Sequence, residues 1–309
     1  MPTTTSTHEQ AATRETSRVA LVTCDQIPDL EDDDRLVLAP LAAHGVAAEP
    51  VVWDDPTVDW AGYDLVVLRS PWDYAPRLAE FVAWASRVVN LANPADVVSW
   101  NTDKRYLTEL AEAGVPIIPT TVIEPGGWFR PGLPDDVVIK PAVGAGSVDA
   151  GRYRLSDDAE AAAFNAHLKR LTDAGRAALL QPFLSGIETA GETALVYLND
   201  GAGLRFSHAA RKGAMLSGPD EGVSGLYKEE RIDPAAASAA ELAVAERALD
   251  AVPAGRDRLL YARVDLVPDD SGAPTLIELE LTEPSLFLGV AAGAAQRLAD
   301  AIAAATRAG

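Results

Sequence analysis

The stretch DVVIKPAVGAGSVDAGRYRL, residues 136–155, restricts the fold more than any other part of the chain. It runs from an apolar extended segment through a loop of small residues into a second extended segment, RYRL. Only at Ser156 does a helical pattern, DDAEAAAFNAHLKRL, begin. A dinucleotide fingerprint needs strand, glycine turn and helix in that order, so that the phosphate meets a helix N-terminus. Here the loop joins two strands, which excludes a dehydrogenase of that kind. Lys140 closes the first strand, where an ammonium is normally solvated. Beside PAVGAGS it can instead point at a phosphate, while the backbone N–H groups of Gly144, Ala145, Gly146 and Ser147 close over the same anion. An ordinary surface turn would carry the same glycines.

The rest of the chain fits around this unit. RVALVTCD, VAAEPVVWD and YDLVVLRS read as strands separated by the helical patterns DRLVLAPLAAHG and PRLAEFVAWASRV, an alternation that implies a parallel sheet over residues 18–95. NTDKRYLTELAEAGVPIIPT predicts a helix with Asn101 or Thr102 as N-cap, ended by Gly114 and Pro116. Beyond it AALLQPFLSG, ETALVYLND, LRFSHAARK, LLYARVDLV and TLIELEL are mostly neighbouring strands covered by helices. The expected class is therefore α/β, passing to α+β with a mixed or antiparallel sheet in the C-terminal half. Residues 1–17, Thr/Ser-rich and without an apolar core, read as a disordered leader and not as a secretory signal.

Composition limits the partners. Of 309 residues 48% are hydrophobic, enough for a sizeable core, while 46 acidic against 26 basic residues leave a formal charge of −20. Such a surface repels nucleic acid and anionic membranes, which points to a small molecule as the partner and allows a homo-oligomer. The single cysteine, Cys24, can form no internal disulfide, so the expected home is a reducing cytoplasm.

An apolar strand, TLIELEL, carries Glu278 and Glu280 two residues apart, and side chains so spaced share a face. Folding ARVDLVPDDSGAPTLIELE as a hairpin centred on Ser271-Gly272 places Asp265 opposite Glu278. Three carboxylates on one patch resist ionising together unless a cation sits among them, and all-oxygen ligands suit magnesium. A solvated strand face is the competing explanation. In LLQPFLSG the break at Gln181, Pro182, Phe183 and Leu184 could serve as a hinge that reads an adenine edge, the ring packing on Ile139 or Leu180, with Glu192 or Glu188 accepting from ribose hydroxyls. A strand running into a surface loop would look the same. Arg69, Ser70, Trp72 and Asp73 follow a strand of the parallel sheet, at the end where such sheets bind ligands, and are candidates for gripping a substrate. Trp72 could equally pack. Arg211 and Lys212 form a basic pair, and the glycine-rich, charged segment 213–231 is a candidate lid.

Taken in order, Lys104, Lys140 with its small-residue loop, the QPF hinge, Glu192, Arg211, Asp265 and the Glu278/Glu280 pair resemble the ATP-grasp superfamily of carboxylate-amine ligases, over about residues 18 to 305. RSPWDYAPRLAEFVAWA and SWNTDKRYLTELAEAGVPIIPT look like the subgroup that includes the cycloserine-forming cyclo-ligase, which closes O-ureido-D-serine. The resemblance implies an N-terminal α/β domain (18–95), a connecting helical segment packing on the C-terminal domain (96–118), a small central domain (119–184) and a C-terminal domain (185–309), with ATP gripped between the last two. It also implies that Lys104 and Lys140 contact ATP phosphates, residues 181–184 read adenine, Glu192 holds ribose, and Asp265, Glu278 and Glu280 hold Mg2+. Lys140 and Arg211 would be catalytic, Arg211 steadying an acyl phosphate. Many ATP-grasp ligases carry Asn where Glu280 stands. The expected activity is ligation of a small amino-acid-like carboxylate to a nitrogen nucleophile, with a small-metabolite kinase or a nucleotide-binding regulatory module as alternatives.

Overall fold

The computed structural model describes residues 16–128, 132–213, 226, 231–253 and 255–308. The expected leader up to residue 15 and all of the candidate lid except Gly213, Leu226 and Arg231 lie outside the described residues.

The strand and helix alternation of the N-terminal third produces a four-stranded parallel sheet. β1 (Ser17–Thr23) lies between β2 (Val46–Val52) and β3 (Leu65–Ser70), and β4 (Leu91–Ala92) flanks β3. Its strands are continuous apolar runs because both faces are covered. Val19, Leu21 and Val67 meet the C-terminal helix Ala294–Ala308 through Leu298 and Ile302. Ala20, Val22 and Leu68 share the opposite cluster with Phe81 and Trp84 of the helix Leu78–Ala85.

The central sheet contains β5 (Thr121–Ile123), β6 (Asp136–Pro141), β7 (Gly151–Arg154) and β8 (Ala178–Pro182) in the antiparallel order β5-β8-β6-β7. One face is covered by the helix Asp158–Asp173, whose Phe164, Leu168 and Leu171 pack on Val137, Ile139 and Leu180. The cap of that helix is Asp157, one residue later than the sequence suggests. Its carboxylate accepts from the amides of Ala159 and Glu160, whereas the Ser156 hydroxyl donates to Asp135.

The third sheet holds β9 (Glu192–Asn199), β10 (Leu204–Lys212), β11 (Ile232–Ala235), β12 (Tyr261–Pro268) and β13 (Pro274–Glu280), ordered β11-β10-β9-β12-β13 and antiparallel throughout. A helix, Ala95–Asn101, precedes the one expected from Asn101 onward, which begins later than expected, as Tyr106–Glu112. Asn101 ends the first and caps nothing. Its side chain donates to the Leu279 carbonyl and accepts from the Leu281 amide, completing the edge of β13, and the Tyr106 hydroxyl does the same at Leu279. Among the described residues no helix is long and apolar enough to cross a membrane.

Candidate active site

A cavity of about 390 Å3 is lined by residues of the central and C-terminal sheets. Strand parity decides what reaches it. On β6 the residues Val137 and Ile139 are spent on the helix beneath, so Val138 and Lys140 face the cavity. Ile139 and Leu180, expected beneath an adenine, therefore do not line this cavity, whereas Val138, Ile118, Leu184 and Ile277 do. Gln181, Pro182, Phe183 and Leu184 line the cavity as the hinge reading requires, although the Gln181 side chain is buried and donates to Thr120 Oγ1 at 2.8 Å. The Phe183 ring lies under the Arg152 guanidinium, 3.4 Å from the ring centre, and Arg152 is held by Asp136 and by Glu188 at 2.6 Å. Glu188 thus stands outside the cavity, while Glu192 lines it.

At the other end Gly144, Ala145, Gly146, Ser147 and Val148 form the wall. Gly146 and Ser147 both have φ near +57°, the left-handed conformation that curls a loop tightly around a small volume. Lys104 bonds to the Gly144 carbonyl and stands 3.1 Å from Glu278 Oε1. Burial opposes its charge, but Glu278 outweighs burial and raises the pKa. For Lys140, burial wins over the pull of Glu278, and the pKa falls.

The basic pair on β10 divides between the two faces of its strand. Lys212 enters the cavity, where its ammonium meets Asp265 Oδ2 at 3.0 Å and Glu192 Oε2 at 3.1 Å. Arg211 turns to the other face and donates to the Ala190 carbonyl, so it is not among the lining residues. Sequence reasoning missed Arg263, which lines the cavity from β12 and bonds to both oxygens of Asp265, to Glu280 and to the Ser285 carbonyl. The signal was present in R-V-D: residues two apart on a strand share a face.

The hairpin pairs Asp265 with Glu278 as expected, and Arg263 with Glu280, with a register shift only beyond Asp265. Asp265 is buried, and burial works against its charge, yet Arg263 and Lys212 outweigh this and lower its pKa. Lys104 and Lys140 likewise overcome burial to lower Glu278. Glu280 goes the other way: burial, with the like charges of Glu278 and Asp265 adding to it, pushes it up to about 8 against the pull of Arg263.

Of the expected substrate residues, the structure brings only Trp72 to this cavity. Arg69 is fully buried, donating to Asp34 at 2.8 Å and to the Pro284 carbonyl at 2.7 Å, and Ser70 is buried beside Thr23. Asp73 accepts from Trp53 and from Arg77 on a neighbouring cavity.

Residues 19–93 match the family described as the D-cycloserine synthetase DcsG N-terminal domain. The chain is 39% identical over 305 residues to the cycloserine biosynthesis protein DcsG of Streptomyces lavendulae, covering 92% of this chain and 97% of that one. The chain belongs to the DcsG family of ATP-grasp ligases. The crystal structure of D-cycloserine synthetase DcsG superposes with a TM-score of 0.80 at 37% identity, over 93% of this chain and 99% of that one. The D-alanine–D-alanine ligase of Bacillus anthracis shares the ATP-grasp fold, with a TM-score of 0.60 at 14% identity over 94% and 98% of the two chains.

ATP-grasp ligases work with ATP and magnesium, and the donors on β13 suit a hard divalent ion. Glu278 and Glu280 offer oxygens from one strand face, and burial together with the like charge of Glu278 opposes ionisation of Glu280 despite Arg263. Asp265 does not converge with them here, because both its oxygens are engaged by Arg263 and Lys212. Among the described residues no group of three or more acidic, histidine or cysteine side chains stands in metal-holding geometry.

Proposed function

We propose that this protein activates a small amino-acid-like carboxylate with ATP and joins it to a nitrogen nucleophile, the ring closure of O-ureido-D-serine to D-cycloserine being the reaction its family membership favours. The observation that carries this reading is a single cavity in which an apolar slot at Val138 and residues 181–184 leads to Lys104, Lys140, Lys212, Arg263 and the glycine loop. An adenine suits the slot, and a triphosphate suits the cations.

Electrostatics support the same assignment. The lining sets six carboxyl groups (Glu31, Asp33, Glu192, Glu278, Glu280 and Glu283), of which burial pushes Glu280 and Glu283 toward the neutral form, against four cations, so without a metal ion the site offers ATP little net positive charge. Glu278 and Glu280 would hold Mg2+, and Asp265 would join them once Lys212 or Arg263 turned from it to a phosphate. Magnesium, when bound, offsets phosphate charge that would otherwise keep an attacking carboxylate away.

A substrate carboxylate oxygen attacks the γ-phosphorus, and the bond to ADP breaks. The oxygen-bound nitrogen then attacks the acyl carbon, phosphate leaves with the bonding electrons and the nitrogen gives its proton to solvent; with O-ureido-D-serine, water then cleaves the carbamoyl group from that nitrogen, and it departs as CO2 and NH3. Lys140 and Lys104 steady the phosphoryl group in the first step. Arg263, whose guanidinium is held by Asp265, takes the role expected of Arg211 and steadies negative charge in the second. Glu192 faces the cavity and is the ribose partner in preference to Glu188.

Incubation with ATP, Mg2+ and O-ureido-D-serine should release ADP and phosphate and yield a product of cycloserine mass. Glu278→Gln should abolish this release with an unchanged circular dichroism spectrum. Full turnover in that variant would refute the metal assignment, and absence of ADP release by the native chain would refute the substrate.

A further inference from the structure

Glu283 lies on the turn after β13 and lines the cavity. The other carboxylates deep in the site have matched charges: Asp265 with Lys212 and Arg263, Glu192 with Lys212, Glu278 with Lys104, and Glu280 with Arg263. Glu283 has no ion-pair partner within 4 Å among the described residues; the Tyr74 hydroxyl stands near it, and Lys104 and Arg263 act on it only from farther off. Tyr74 is itself fixed, 2% exposed and stacked on Phe81 with ring centres 4.8 Å apart.

The backbone that carries Glu283 is held more firmly than any packing argument requires. Five successive carbonyls, from Leu281 to Ser285, each accept from a side chain elsewhere in the molecule. Asn93 donates to Leu281 at 2.7 Å, the Tyr261 hydroxyl to Thr282 at 2.8 Å and Trp72 Nε1 to Glu283 at 3.1 Å. Arg69 donates to Pro284 at 2.7 Å and Arg263 to Ser285 at 3.0 Å. A turn fixed at every residue presents its one cavity-facing charge in a set place, which is what recognition of a ligand charge needs.

We propose that Glu283, steadied by Tyr74, binds the ammonium group of the substrate, so that the site selects carboxylates that also carry a free primary amine. The inference rests on the ligase reading above and names the substrate class of that same cavity. A half-buried carboxylate with no cation beside it is costly, and a ligand ammonium supplies the missing charge together with donors for the oxygens that Tyr74 leaves unused. Burial, only partly offset by the Tyr74 hydroxyl and by Lys104, pushes Glu283 up to about 7, as expected of a carboxyl waiting for such a partner. Glu31 and Asp33, the remaining carboxylates of the lining, are already satisfied by backbone amides, Glu31 by that of Asp33 and Asp33 by those of Leu288 and Gly289.

The test compares O-ureido-D-serine with its des-amino analogue, 3-(ureidooxy)propanoate, as stimulants of ADP release by the native chain and by Glu283→Gln. The native chain should prefer the amine by roughly 10- to 100-fold in kcat/KM, the range expected for one charge-assisted contact. In Glu283→Gln that preference should collapse to within about threefold, mainly through the KM of the amine-bearing compound. Glu283→Asp should recover part of the preference, and Tyr74→Phe should lose part of it, so the result does not hang on one variant. Equal losses for both compounds, or a preference that survives the substitution, would overturn the assignment. ADP release by the native chain with neither compound would instead overturn the ligase reading, and the inference with it.

Discussion

Lys212 and Arg211 are neighbours on one strand with opposite fates, and the difference can be measured. Lys212 bridges Asp265 and Glu192 inside the cavity, whereas Arg211 meets the Ala190 carbonyl on the far face. Lys212→Met should lower kcat/KM by about 100-fold or more, in line with removal of one preorganised charge stabiliser. Arg211→Ala should stay within about threefold of the native value. Steady-state ADP release by the two variants checks this, and a larger loss in Arg211→Ala would reverse the assignment. The sequence shows that β10 ends in two cations but not which face each takes. Nothing in LRFSHAARK fixes its phase, since its register shifts between Phe206 and His208. Asp265, Glu278 and Arg263 are different: the hairpin turn and the two-residue spacing fix their phase, so their meeting is legible, and in Arg263 it went unread.

At the scale of elements, the glycine loop is anchored at its far end by Asp149, whose carboxylate gathers Arg170, Arg176 at 2.8 Å and His167 at 3.2 Å. Burial raises the pKa of this carboxyl, but the neighbouring His167 and Arg170 overcome it and hold the group well below the usual carboxylate range. A depressed folded pKa gives stability that is complete above the unfolded value of about 3.9 and fades as pH falls below it. Asp149→Asn keeps a residue tolerant of its φ of +63° and should cost about 1–3 kcal/mol at pH 7, shrinking toward pH 3. Urea unfolding of both chains at pH 7 and pH 3 measures the difference, and a gap unchanged with pH would show that the carboxylate charge does not matter. This anchor was invisible in the sequence, because Asp149's partners His167, Arg170 and Arg176 lie 18 to 27 residues away on a helix and the loop that follows it. The strand-loop-strand order, by contrast, was plain from local pattern. Asn101 shows the same limit: Asn near a helix start reads as a cap, and only its tertiary partner on β13 reveals otherwise.

At the scale of the whole molecule, the N-terminal parallel sheet is joined to the site by a buried pair. Arg69 and Asp34, 0% and 2% exposed, sit at the end of that sheet where substrate contacts were expected. They reach the site indirectly, since the Arg69 fork that binds Asp34 also holds the Pro284 carbonyl next to Glu283. Stability and positioning can be separated here. Arg69→Met alone strands a buried carboxylate and should cost about 3–5 kcal/mol, whereas Arg69→Met with Asp34→Leu removes both charges and should recover most of that loss, as replacement of a buried pair by apolar groups often does. The double variant still lacks the donor to Pro284, so its folded form should react about tenfold more slowly with O-ureido-D-serine, with ATP affinity retained, because a slightly misplaced turn harms the reaction more than it harms the fold. Chemical denaturation and kcat/KM on the three chains decide it. If the double variant regains native activity along with native stability, the pair is structural only, and the N-terminal sheet contributes to the site through the lining residues Glu31, Asp33, Trp72 and Tyr74.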